Sequence, residues 1–179
     1  DAYQVTGVLT LTAAQASGLA ITGAGSVTLT ALGSGTVDLS GITASATAAV
    51  SGDVTLASGT DLGSVVITVA SGNTLTLTAA QAGGVTISGD GNVAVTALAA
   101  DTDLSGVTVS GTIVAQVTSS IDIGANGNLG AVDAFRVDSG VTLTLTAAQA
   151  EASAVTGTGN VTVTGIGATT DLSNVTATG

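Results

Sequence analysis

The strongest constraint on this chain is that it repeats itself. LTLTAAQASGLAITGAGSVTLTAL begins at Leu9, LTLTAAQAGGVTISGDGNVAVTAL at Leu75 and LTLTAAQAEASAVTGTGNVTVTGI at Leu143, so equivalent residues recur 66 and then 68 positions on. A chain built this way folds by stacking like units, because one unit cannot bury its apolar face alone. Each copy is followed by an Asp-Leu-Ser segment: VDLSGITAS from Val37, TDLSGVTVS from Thr102 and TDLSNVTAT from Thr170. Asp1-Ala2-Tyr3-Gln4-Val5 likewise matches Asp133-Ala134-Phe135-Arg136-Val137. The chain therefore reads as one segment, 1–179, with internal repeats 7–73, 74–140 and a partial 141–179. Both ends fall inside the pattern. The expectation is a window on a longer array, or a subunit that stacks end to end.

Within a unit the hydrophobic period is 2. Val27-Thr28-Leu29-Thr30, Val93-Ala94-Val95-Thr96 and Val161-Thr162-Val163-Thr164 alternate, and alternate side chains of a strand point to opposite faces. Val27, Leu29 and Val95 are thus expected to point inward. Gly-rich breaks at Gly23-Ala24-Gly25, Gly89-Asp90-Gly91-Asn92 and Gly157-Thr158-Gly159-Asn160 mark tight corners. A sandwich core is normally filled by aromatic side chains of about 150–250 Å² each. This chain has one Tyr, one Phe and no Trp, so its interior must be a thin column of Val, Leu, Ile and Ala. The prediction is all-β: a right-handed parallel β-helix, a β-solenoid, of about eight coils. Three coils of about 22 residues per repeat, or four of about 17, fit the period; three-sided coils are favoured, and at about 22 residues each they give a rod about 40 Å long.

The AAQA segments depart from the strand pattern. Thr12 before Ala13-Ala14-Gln15-Ala16, with Gly18 after, reads as an N-cap, one helical turn and a terminating glycine. Thr78 to Gly83 repeats it, and Glu151-Ala152-Ser153 in the third copy predicts a longer turn. A one-turn helical corner is expected at each AAQA, with Gln15, Gln81 and Gln149 as exposed or corner-bridging amides.

Composition removes most chemistry. The chain has no His, Cys, Lys, Met or Pro, so an ordinary zinc site, a thiol nucleophile, a Schiff-base lysine and a Ser-His pair are all excluded. Twelve acids against one base, Arg136, give a formal net charge of −11, which repels nucleic acid. No catalytic residue and no enzyme activity are predicted. The segment Ala2–Val37 is uncharged, but Thr, Ser, Gly and Gln interrupt it too often for a membrane helix, and membrane insertion is not expected. Asp38, Asp103 and Asp171 occupy equivalent positions, and alternation against Val37 and Leu39 turns Asp38 outward. They read first as a solvated acidic row that blunts lateral aggregation. Calcium is the one cofactor with candidate ligands, since hard cations take carboxylate oxygens. Asp101 and Asp103 form the densest acidic spot, with Asp90 one coil earlier. Asn160 and Asn174 sit in Asn-Val-Thr sequons, and Arg136 has Asp133 and Asp138 as nearby acids. Paired threonines such as Thr10/Thr12 and Thr28/Thr30 raise an ice-binding face as a minor alternative; such a face needs the pair on every coil.

The LTLTAAQA…ITGAGSVTLTAL…VDLSGIT pattern resembles repeats of bacterial surface-layer proteins and of giant adhesins exported by type I secretion. The resemblance implies an acidic, Cys-free β-solenoid at the bacterial cell surface, often assembled with calcium; the GGxGxDxUx calcium nonapeptide of many members is absent. The expected function is a structural repeat segment of an extracellular self-assembling surface protein, a lattice or a filament, whose partners are copies of itself or further repeats of the same chain. The alternative is a rigid spacer or binding module of a large adhesin.

Overall fold

A computed structural model describes residues 2–124 and 128–179. Among them the strands and helices follow in the order β1 (Ala2–Gln4), β2 (Val8–Leu11), α1 (Ala13–Ala16), β3 (Ala20–Thr22), β4 (Ser26–Leu29), β5 (Ser45–Val50), β6 (Val54–Thr55), β7 (Val66–Val69) and β8 (Thr74–Thr78). Then come α2 (Ala79–Ala82), β9 (Ile87–Gly89), β10 (Asn92–Thr96), β11 (Ile113–Val117), β12 (Ile121–Asp122), β13 (Ala134–Val137), β14 (Thr142–Thr146), α3 (Ala147–Ala152), β15 (Ala154–Gly157) and β16 (Asn160–Thr164). These strands pair in parallel, each with a strand of the neighbouring coil, as in β2–β4, β8–β10 and β14–β16. The chain is a β-solenoid of about eight turns.

Four ladders run along it: β1–β3, β2–β4–β5–β7–β9, β6–β8–β10–β11–β13–β15 and β12–β14–β16. Residues stack on their own kind. Leu77, Val95, Ala115, Phe135 and Val155 are consecutive partners in the longest ladder, and all are buried. Leu11, Leu29, Ala48, Ile67 and Ile87 form the matching column in the five-stranded ladder. The outward neighbours are mostly polar or small, with exposed Val8 and Val66 as exceptions, so the period-2 alternation becomes an aliphatic column inside and a largely Thr/Ser/Ala surface outside. Phe135 is the largest fully buried side chain, and the small partner Ala115 on one flank leaves room for its ring.

The coil length falls between the values of about 22 and about 17 residues that the repeat allows. Leu9 pairs with Val27, 18 residues on; Phe135 with Val155, 20 on; and Ile121 with Leu143, 22 on. A coil of about 20 residues makes a repeat of 66 or 68 about three and a third coils, not the whole number expected. Equivalent segments therefore arrive in successive ladders. The LTLT strand lies in the five-stranded ladder as β2, in the six-stranded ladder as β8 and in the three-stranded ladder as β14. The Ile21, Ile87 and Val155 segments advance in the same way, from β3 to β9 to β15. The ladder register fixes how far the chain travels per turn, and the sequence repeat precesses around the rod.

The corner glycines answer a close approach of backbone. Gly89 has φ +112, and a Cβ there would collide with the Val69 carbonyl of the preceding coil; Gly23 and Gly157 meet Val5 and Val137 likewise. Gly72 also has positive φ, +78, but nothing lies within 4 Å of a Cβ built on it. Gly72→Ala is therefore expected to cost only the left-handed strain, about 1–2 kcal/mol. Gly89→Ala is expected to cost at least twice that, because a backbone group must move as well. Paired urea melts of the two variants check this; equal losses would mean that coil-to-coil contact at Gly89 is not tight.

Candidate functional site

The non-strand corners hold most of the polar chemistry. At each AAQA, a threonine begins the turn in extended geometry, because a β-region N-cap lets its hydroxyl reach back over the first turn. Thr12, Thr78 and Thr146 accept from the backbone N–H of Gln15, Gln81 and Gln149, and the glutamine Oε1 accepts from the threonine N–H in return. This reciprocal box is spelled Thr-x-x-Gln in the sequence. The third turn is longer, as Glu151-Ala152 predicts: α3 has six residues against four in α1 and α2. The terminating glycine is Gly18 in the first copy, with φ +71. In the second the left-handed residue is Gly84, φ +77, and Gly83 is the cap with φ −61, one position earlier than a terminating glycine stands.

Gln81 and Gln149 bridge corners. Gln81 Nε2 donates to Ala57 O (2.7 Å) and Thr60 O (3.2 Å), and Gln149 Nε2 donates to Ile123 O (3.0 Å), all on the preceding coil. Gln15 makes the same local box but lies on the first coil and is exposed.

The acids close backbone amides. Asp38 Oδ1 accepts from Ser40 N (3.0 Å), Asp61 Oδ1 from Gly63 N (2.9 Å), Asp103 Oδ1 from Ser105 N (2.9 Å), Asp122 Oδ1 from Gly124 N (2.8 Å) and Asp171 Oδ1 from Ser173 N (2.9 Å). Each is an Asx-turn, in which a carboxylate replaces a backbone acceptor at a sharp bend. Asp53 takes Thr74 N, Asp133 takes Ile113 N and Glu151 takes Asp171 N across coils. The expected outward orientation of Asp38 is found, with Val37 and Leu39 buried on either side. The row does more than face water, however: it holds the Asp-Leu corner that lets Leu39, Leu62 and Leu104 enter the core. Composition alone hid Asp61 and Asp122 from this set. Asp-Leu-Gly at Asp61 and Asp-Ile-Gly at Asp122, short variants of Asp-Leu-Ser, were the available signal.

Hydrogen bonding lowers three of these carboxyls below the usual 3.8. For Asp38 and Asp103 the serine side chain two residues on, Ser40 or Ser105, is the main cause, followed by its backbone N–H. For Asp171 the Ser173 backbone N–H leads.

Of the calcium candidates, Asp101 and Asp103 line one depression beside α2. Asp90 sits at the Gly89–Asn92 corner and accepts from Ser110 Oγ (2.7 Å); Asp103 is engaged at its own turn; Asp101 is exposed on the loop after β10. Among the described residues, no three His, Cys, Asp or Glu side chains gather as a metal-holding group. Arg136 stands on the outer face between Gln116 and Thr156. Asn160 and Asn174 are both exposed, and Asn174 Nδ2 donates to Glu151 O (3.2 Å). No described helix is long and apolar enough to cross a membrane. No family model, curated protein or solved structure matches the chain.

Gln81→Ala is expected to lose about 1–3 kcal/mol, because two carbonyls of the preceding coil lose the Gln81 amide, Ala57 O keeping only Thr60 N. Gln15→Ala should lose well under half of that, since only the local box goes; thermal denaturation of the two variants compares them. In a carbon-detected NMR titration, the Asp38, Asp103 and Asp171 carboxyls are expected to have midpoints below 3.8. Ser40→Ala should move the Asp38 midpoint up and leave the other two in place. The folded carboxyl is the stronger acid, so the turn contributes in full above about pH 4 and is lost as the pH falls through the folded midpoint.

Proposed function

We propose that this chain is a structural rod segment of an extracellular bacterial surface assembly, a surface-layer lattice or a filament. The observation that carries the reading is the set of overlapping parallel ladders around one aliphatic column, coupled to a surface that gathers no metal-holding cluster among the described residues. A ladder of this kind resists bending and extension because every coil is hydrogen-bonded to the next along its length. The polar side chains are spent on corners, not on a cleft. Eight of the eleven acids among the described residues accept backbone N–H groups, so acidity here serves turn closure first and solubility second. The role requires no catalysis; copies of the chain, or further repeats of it, are the partners, and the bacterial cell surface is the location.

The same rod would also serve as an adhesin spacer. An ice-binding face fits less well: along the five-stranded ladder the outward row reads Thr10, Thr28, Thr47, Val66 and the next reads Ala49, Thr68, Ser88. The paired threonines are not sustained from coil to coil.

Electron microscopy of the purified chain, with and without a chelator, tests the reading. Ordered filaments or sheets are expected. Monodisperse rods that bind cells or ligands would favour the spacer, and loss of order in chelator would assign calcium a part in assembly.

A further inference from the structure

The two long ladders present unlike faces to the outside. The five-stranded ladder turns out hydroxyls on three successive coils, Thr10, Thr28 and Thr47, before Val66. On the six-stranded ladder the outward partners run Thr76, Ala94, Val114, Ala134 and Ala154, and the last four form an apolar column along the outside of the rod. None of these six strands carries an acid, although the described residues hold eleven. This face lies on the side of the rod. β13 is paired with β11 on one flank and β15 on the other, so its surroundings do not depend on the ends of the chain.

Charge sits at the margins of this face, one sign on each side of the column. Arg136, the one base, is exposed in the next outward row between Gln116 and Thr156, and its guanidinium makes no hydrogen bond or ion pair among the described residues. Asp133 is exposed on the other side of Ala134, just before β13 begins. It uses only Oδ2, which accepts from Ile113 N (2.7 Å), and Oδ1 accepts from no described residue. An uncharged centre with charge at the rim is the anatomy of a protein–protein contact. Opposite charges on the two sides of one column also make the face complementary to itself. A second copy turned about a two-fold axis along the column brings Arg136 over Asp133 and Asp133 over Arg136.

We propose that the outer face of the six-stranded ladder is a lateral contact between two copies of this chain, column against column, with Arg136 of each copy paired to Asp133 of the other. Faces lined by alanine approach within the usual sheet spacing of about 10 Å, a gap that an extended arginine side chain spans. The two rods lie side by side and point the same way, each coil over its own counterpart. Exposed ion pairs add little affinity, so the column supplies the attraction and the two pairs fix the register. The contact rests on the scaffold reading and names the surface through which copies meet.

Sedimentation of the 179-residue chain over a concentration series tests the contact, at about 0.15 M salt, where repulsion between charges beyond about 8 Å is screened. Wild type is expected to associate. Arg136→Glu, at an exposed position, sets like charges together and should raise the dissociation constant at least about tenfold with an unchanged monomer melting curve. Asp133→Arg should lose association too. An equimolar mixture of these two variants should recover it, because each new charge then meets its opposite; folded variants that do not recover overturn the pairing. Should Asp133→Arg fail to fold without its bond to Ile113 N, cross-linking decides. Because the chain has no cysteine, Ala134→Cys with a short bismaleimide should form dimers about tenfold faster than Thr68→Cys, exposed on the five-stranded ladder. If wild type associates but Arg136→Glu associates equally and the two cysteine variants cross-link alike, copies meet elsewhere: this face is overturned and the scaffold reading stands. A wild type that stays monomeric at every concentration overturns the face and the self-assembly reading together, and leaves the spacer.

Discussion

Parallel, in-register pairing of each coil with the next is the constraint on which the rest of the molecule depends. It fixes the coil at about 20 residues, places like residues on like, and turns a sequence almost without aromatics into a continuous core. A sandwich or bundle built from Val, Leu, Ile and Ala alone would need many large contacts between separate elements. Here each apolar side chain touches its equivalents on either side, at the spacing of neighbouring strands, so short side chains suffice. The same spacing explains the corner glycines. Where the backbone bends against the coil before it, at Gly89 over Val69, there is no room for a Cβ.

Stacking leaves the polar problem at the corners, and the sequence solves it with a small vocabulary. Threonine and glutamine close the helical corners; aspartate closes the Asp-Leu and Asp-Ile corners by accepting the N–H two residues on. No buried side-chain nitrogen or oxygen among the described residues lacks a partner, although Thr60, Gln81, Thr102 and Ser153 are buried polar groups. A chain with one base can be strongly acidic without instability, because its carboxylates bind amides of the backbone and need no cationic partners.

The repeat at Leu9, Leu75 and Leu143, the period-2 runs and the near absence of aromatics were enough to reach a parallel solenoid of about eight coils, its inward residues and the helical corners with their capping threonines. These are local properties: alternation, turn chemistry and side-chain volume act over a few residues and are written where they act. The length of the coil, the precession of LTLT from β2 to β8 to β14, the amide-closing role of Asp61 and Asp122, and the bridge from Gln81 to Ala57 and Thr60 were settled only in three dimensions. Each depends on which residue of one turn meets which residue of the next, and that register is set jointly by all the ladders and corners of a coil, so no single segment carries it.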